Sequence, residues 1–221
     1  MRIYLKLSPN TEPVPFNYQQ SLVGAFHKWL GENELHDEIS LYSLSWLEGG
    51  KMRKDQQGLD FRNGANFCIS SPLEALHQKA VKGIFKDQYI SWGMKVREVT
   101  MKPVPEFGSE QRFLLKSPVL IKRDRPEEKH QQYYFYHNLQ SDQFMTETLQ
   151  KKLLRFDFPT DVKVAFDRNF PRPHTKKITF NNIDIKASIC PVIVKGDPAA
   201  VKFAWNVGVG NSTGIGFGAL K

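Results

Sequence analysis

The chain has only two cysteines in 221 residues, no apolar run long enough to span a bilayer, and no HExxH or CxxC motif. Each shortage excludes something. Cys68 and Cys190 both sit in apolar, strand-like runs, so they cannot form a disulfide framework and are expected as buried free thiols in a reducing compartment. Without a stretch of roughly 18 apolar residues or a signal-peptide core at the amino end, a soluble cytoplasmic protein with no membrane partner is expected. Without metal-ligand spacing, neither a metal nor another cofactor is expected. Heptads, low-complexity tracts and short repeats are also missing, which removes coiled coils and solenoids.

What is present is charge of one sign and enough core. Lys and Arg number 31 against 23 acidic residues, a net charge of +8, with 40% hydrophobic residues. The apolar fraction suffices for one large or two small globular domains. The positive excess favours a polyanionic partner.

The last sixteen residues, NVGVGNSTGIGFGALK, place glycine at Gly208, Gly210, Gly214, Gly216 and Gly218. Glycine lets a backbone adopt positive φ and approach another backbone or a phosphate closely. A Walker A loop would need Gly-Lys-Ser/Thr feeding a helix, and a dinucleotide fingerprint would need a following helix and an acidic residue. Neither fits at Lys221, so a nucleotide-dependent enzyme has little support.

At the other end, Ile3, Leu5 and Leu7 alternate with Arg2, Tyr4 and Lys6, the pattern of a half-buried strand. Asn17, with Gln20 three positions later, is a candidate cap for a helix carrying Leu22, Ala25, Phe26, Trp29 and Leu30 on one face up to Gly31. Strands are expected near 40–48, 59–70 and 94–100, with a helix over 73–85. The resulting order, β-α-β-β-α-β, is ferredoxin-like. A linker around Pro103-Val104-Pro105 separates it from a second such half, with strands at 112–121, 162–166 and 178–194, helices at 141–155 and 199–205, and a last strand at 216–220. The expected class is therefore α+β, two tandem ferredoxin-like domains (1–105 and 106–221) closing in a glycine-rich loop.

The opening strand, the PVPFNYQQSL helix start, Leu35-His36-Asp37 before the strand Leu41–Leu44, Ser117-Pro118 and the terminal glycine run together resemble the CRISPR-associated endoribonucleases that cut precursor repeat RNA, within the repeat-associated RNA-binding superfamily. The resemblance implies metal-independent transesterification by the 2′-hydroxyl, leaving a 2′,3′-cyclic phosphate and a 5′-hydroxyl. It implies that His36 falls at the family's catalytic histidine and His27 where the family carries Tyr or His on the first helix. Which would be acid and which base stays open; each proton-transfer partner contributes roughly 10²- to 10⁴-fold. The family's lysine after the histidine is replaced here by Glu38 and Ile39, with Lys51 the nearest substitute for a cation aimed at phosphate charge.

Among the remaining histidines, His77 is expected exposed on the second helix. RNA contacts are expected from Gly208, Gly210, Gly214, Gly216 and Gly218, and from the basic segment holding Arg168, Arg172, Lys176 and Lys177. Lys122, Arg123 and Arg125 form a second cluster, diluted by Asp124, Glu127 and Glu128. The partner implied is CRISPR repeat RNA, with other effector subunits or a second copy also open. The competing reading from a different class is a non-catalytic subunit that holds repeat-derived guide RNA.

Overall fold

The computed structural model describes residues 1–31, 40–125 and 128–221. His36, with Leu35, Asp37, Glu38 and Ile39, lies outside the described residues, as does Glu127.

Strand β1 (Arg2–Leu7) buries Ile3, Leu5 and Leu7 as its alternation predicts. Helix α1 (Gln19–Leu30) lays Leu22, Ala25, Phe26, Trp29 and Leu30 on these side chains. Its start differs from expectation. Tyr18, not Asn17, precedes the helix, and no side chain caps it. Tyr18 is drawn into the core, where its hydroxyl accepts a hydrogen bond from Leu47 N at 3.3 Å.

Strand β2 (Ser43–Leu44), a small hairpin of β3 (Lys51–Met52) and β4 (Leu59–Asp60), strand β5 (Ala65–Ser70), helix α2 (Glu74–Lys86) and strand β6 (Val96–Lys102) complete the first half. The sheet order is β2-β5-β1-β6, antiparallel throughout, with both helices on one face. His77 corrects an expectation: it is 1% exposed within α2, with no hydrogen-bond partner for either ring nitrogen. Burial pulls its pKa down to about 4, so it stays neutral near pH 7.

The second half repeats the plan with two added hairpins. Strand β7 (Glu110–Phe113) is followed by the hairpin β8 (Ile121–Arg125) and β9 (Glu128–Tyr134), helix α3 (Gln140–Leu154) and strand β10 (Val162–Phe166). A second hairpin, β11 (His174–Phe180) with β12 (Ile183–Ile189), leads to β13 (Val192–Gly196) and helix α4 (Pro198–Val207). The strand expected over 112–121 is thus two strands, because Ser117-Pro118 breaks the run and redirects it into the hairpin. Asp197 caps α4 by accepting from Ala199 N at 2.7 Å, with Pro198 in the first turn, where a missing N–H costs nothing.

The second sheet is β10-β13-β7. Its fourth position is filled by the chain end, but only as an isolated bridge between Leu115 and Leu220 instead of the ladder strand expected over 216–220. Each half buries its own apolar cluster, one from Ile3 to Val96 and the other from Phe113 to Leu220. Cys68 and Cys190 are buried and free. Among the described residues no helix is long and apolar enough to cross a membrane.

Candidate nucleic-acid interface

The face of β1 opposite the helices joins the two halves. Arg2, expected on a solvated face, is 1% exposed. Its guanidinium lies 3.3 Å from the centroid of the Trp205 ring and donates to Trp205 O and to Ser70 Oγ, the latter at 2.9 Å. A buried guanidinium is tolerable only when its donors are satisfied, and α4 supplies an aromatic face and a carbonyl. Farther along this face, Tyr4, Lys6, Glu48, Glu98, Lys102 and Lys116 line an open cleft of about 480 Å³. Lys102 and Lys116 stand 5.3 and 5.9 Å from the Tyr4 ring, and Lys116 also pairs with Glu48 at 2.7 Å.

The glycine run is buried over most of its length, not an exposed loop. It folds on itself through Val209 N to Gly218 O (3.0 Å) and reaches back through Gly218 N to Pro118 O (2.8 Å) and Asn211 N to Leu120 O (2.8 Å). Gly218 has φ of 63°, and a Cβ there would collide with Val209 O at 1.9 Å. Gly214 is needed for closeness instead: a Cβ would lie 2.5 Å from Ser40 Oγ and 2.9 Å from Tyr42 Oη.

That approach brings the run to His27. The imidazole is half-buried at the edge of the apolar face of α1, and its Nε2 lies 3.5 Å from Tyr42 Oη, the long limit of a hydrogen bond. Tyr42 is buried against Phe26, with ring centroids 5.0 Å apart, and its main-chain carbonyl accepts from Thr213 Oγ1 at 2.9 Å. Burial pushes the Tyr42 phenol up to about 12, so it remains a donor at neutral pH. Imidazole, phenol and glycine run therefore meet at one point, with Ser40 beside them.

The other expected site residues divide. Lys51 is exposed on β3 and lines a separate cleft with Arg53, Lys54 and Arg62, where Arg53 is paired to Asp60 at 2.9 Å. Arg168 holds Asp142 at 2.6 and 3.1 Å and donates to Asn138 O, which ties its charge to the start of α3. Arg172 is exposed, and Lys177 pairs with Asp184 across the hairpin at 2.8 Å. Lys176 alone of the four reaches the glycine run: its Nζ lies 4.8 Å from the Trp46 ring centroid, and Trp46 Nε1 donates to Gly216 O at 2.8 Å. In the second basic cluster, Arg123 pairs with Glu147 at 3.3 Å and Lys122 donates to Gln131 at 3.1 Å.

Sequence reasoning missed Tyr42, Trp46, Thr213 and Lys152. Tyr42 and Trp46 read as ordinary strand residues, and Lys152 as one of two lysines on a helix. Lys152 is in fact buried on α3, its Nζ donating to Val207 O (3.2 Å) and Thr213 Oγ1 (3.0 Å). Desolvation pulls its pKa down to about 7.

These features define the class first: a tandem ferredoxin-like protein whose halves are tied by a buried glycine ribbon beside an imidazole. Residues 101–221 match the family described as CRISPR associated protein Cas6, C-terminal, and the chain belongs to that family. It is 26% identical to the CRISPR-associated endoribonuclease Cas6 1 of Methanocaldococcus jannaschii, across all of this chain and 92% of that one. The fold is shared with a Cas6-related protein from Pyrococcus furiosus (TM-score 0.86, 19% identity, covering 100% of this chain and 97% of the other). It is shared equally with a structure described as an RAMP protein binding different RNA substrates (TM-score 0.86, 19% identity, covering 100% and 98%).

Proposed function

We propose that the chain is an endoribonuclease that cuts precursor CRISPR repeat RNA, its two halves, 1–105 and 106–221, acting as two domains around one strand of RNA. The observation that carries this is the meeting of His27, Tyr42 and the glycine run at the junction of the halves. Membership of a family whose curated relative is an endoribonuclease, and the net charge of +8, support it.

Cleavage proceeds by attack of a 2′-hydroxyl on the adjacent phosphate, with the 5′-oxygen leaving. One imidazole removes the hydroxyl proton and another group returns a proton to the leaving oxygen. His36 and His27 take these two roles, and Tyr42 orients the His27 ring. The reading invokes no metal, because an imidazole can accept a proton in one form and donate one in the other. A cation such as Lys51 offsets charge building on the phosphate. Lys176 on the hairpin and Arg172 just before it grip a repeat stem through its phosphates, as a basic loop can without reading bases.

Glu38 and Ile39, where the family's lysine would stand, favour the second reading, a guide-holding subunit without activity. One assay separates them: labelled repeat RNA incubated with the protein in EDTA. Cleavage that leaves a cyclic phosphate and falls by roughly 10²- to 10⁴-fold in His36→Ala, with binding retained, is the expected result. Tight binding of RNA that stays intact assigns the subunit role.

A further inference from the structure

Beside the first part of the glycine run, a cleft of about 320 Å³ is lined by Ser40, Arg123, Thr148, Lys151, Lys152 and the residues from Gly210 to Thr213. Three cations face it, and none of the described residues that line it is a carboxylate. Thr148, Lys151 and Lys152 come from one side of α3, as spacings of three and four residues dictate. Arg123 enters from β8, held by hydrogen bonds to Phe144 O (2.8 Å) and Thr148 Oγ1 (3.3 Å). Glu147 beside it, at 3.3 Å, offsets part of that one charge. Lys151 is exposed and has no carboxylate partner among the described residues.

Lys152 makes the cleft unusual. It is 3% exposed, and both acceptors of its ammonium, Val207 O and Thr213 Oγ1, are neutral. A buried ammonium without a counter-charge is costly, and an ordinary structural solution would place an aspartate or glutamate beside it. Here the described surroundings supply two more cations and the hydroxyls of Ser40 and Ser212 instead, the Thr148 hydroxyl being committed to Phe144 O at 2.7 Å. That is a donor set waiting for an anion with several acceptor oxygens.

We infer that this cleft is a binding subsite for one phosphate group, carried by an RNA backbone or free in solution, with Arg123, Lys151 and Lys152 supplying the charge and Ser40 and Ser212 supplying hydroxyl donors. Assignment of the phosphate to RNA rests on the proposed function; the phosphate chemistry does not. Because Ser40 also touches the Gly214 and Tyr42 junction, a backbone phosphate held here lies close along the strand to the one proposed for cleavage.

The test uses the full chain with isotope-labelled lysine side chains, titrated with inorganic phosphate at ionic strength held constant with chloride. One lysine resonance is expected to titrate near neutrality, and phosphate is expected to raise its midpoint by about one pH unit or more. Lys151→Gln and Arg123→Gln, both at the cleft rim, are each expected to weaken phosphate binding by about tenfold. A midpoint indifferent to phosphate, or affinity unchanged in both variants, overturns the inference. A single-stranded oligouridylate separates the two sources. RNA that competes phosphate away assigns the subsite to a backbone phosphodiester, and RNA that binds while phosphate stays assigns it to the free ion. Phosphate binding that persists in a protein unable to cut repeat RNA would sink the proposed function and leave this subsite standing.

Discussion

The two halves share one topology and close it differently. In the first, β6 completes the sheet by a long antiparallel ladder on β1, from Arg2 against Lys102 to Leu7 against Val96. In the second, the same position is taken by the chain end through the single bridge of Leu115 and Leu220. A ladder commits main-chain groups to a neighbouring strand, whereas the glycine ribbon directs its own to several distant segments. Gly216 O goes to Trp46, Gly218 N to Pro118 and Ala219 O to Lys116 N. The first half thus gains a continuous sheet, and the second a folded ribbon that closes on its own half through Pro118 and Lys116 and ties to the first through Trp46.

Breaking the fold of the ribbon should cost most. Gly218→Ala adds a Cβ against a carbonyl at a positive φ, so a loss of about 2–4 kcal/mol is expected from urea unfolding. Gly108→Ala, where nothing stands within 4 Å, should leave stability unchanged. Equal effects at the two glycines would remove the distinction between ribbon and loop.

Arg2→Met tests the other tie between the halves. It leaves Trp205 O and Ser70 Oγ with only their own 3.4 Å contact and removes the cation from the indole, for an expected loss of about 1–3 kcal/mol. Equilibrium unfolding measures it, and a stabilised variant would show that the desolvation of the guanidinium outweighs its contacts.

The halves also differ in where pH acts on them. Lys152 has a folded pKa of about 7, below its unfolded value, so between roughly pH 7 and 10 the unfolded chain binds more protons and stability rises with pH, by at most about 1.4 kcal/mol per unit. His77, at about 4 in the first half, gives the same sign in a lower window, so stability falls as pH drops from about 6.5 toward 4. Lys152→Met should flatten the upper slope and His77→Leu the lower one, read from urea midpoints at a series of pH values. Above about pH 9 the opposite sign enters, because Tyr42 and Cys190, pushed up to about 12 and about 11, stay protonated only when folded.

The smallest structural effect is expected at the centre of the proposed chemistry. Tyr42→Phe removes a hydroxyl held by one long contact, so stability should change by less than about 1 kcal/mol while cleavage of repeat RNA falls by about tenfold. Unaltered cleavage would reduce Tyr42 to a packing residue.

Local pattern carried the elements well. Alternation gave β1, helical spacing gave α1, α2, α3 and α4 to within a few residues, and the βαββαβ order follows from them. It failed where a distant segment intervened. Asn17 lost its capping role because Tyr18 is drawn into the core, the run over 112–121 divided at Ser117-Pro118, and the strand over 216–220 reduced to one bridge. Of the candidate site, the glycine run was legible from residue type, and His27 from its place on the first helix together with the family resemblance. Tyr42, Trp46 and Thr213 were not, since nothing in a strand residue's own neighbours reveals which chain it will touch.

What the sequence determined by itself was thus backbone: periodicity chooses strand or helix, and glycine permits positive φ and close approach wherever it stands. What only the tertiary structure decided was the fate of charge. Arg2 is buried on an indole, Arg168 is committed to Asp142, and Lys152 lies without a carboxylate partner among the described residues, while Lys176 reaches the ribbon through Trp46. The free energy of a charge depends on the solvent and partners around it, and those come from residues tens or hundreds of positions away.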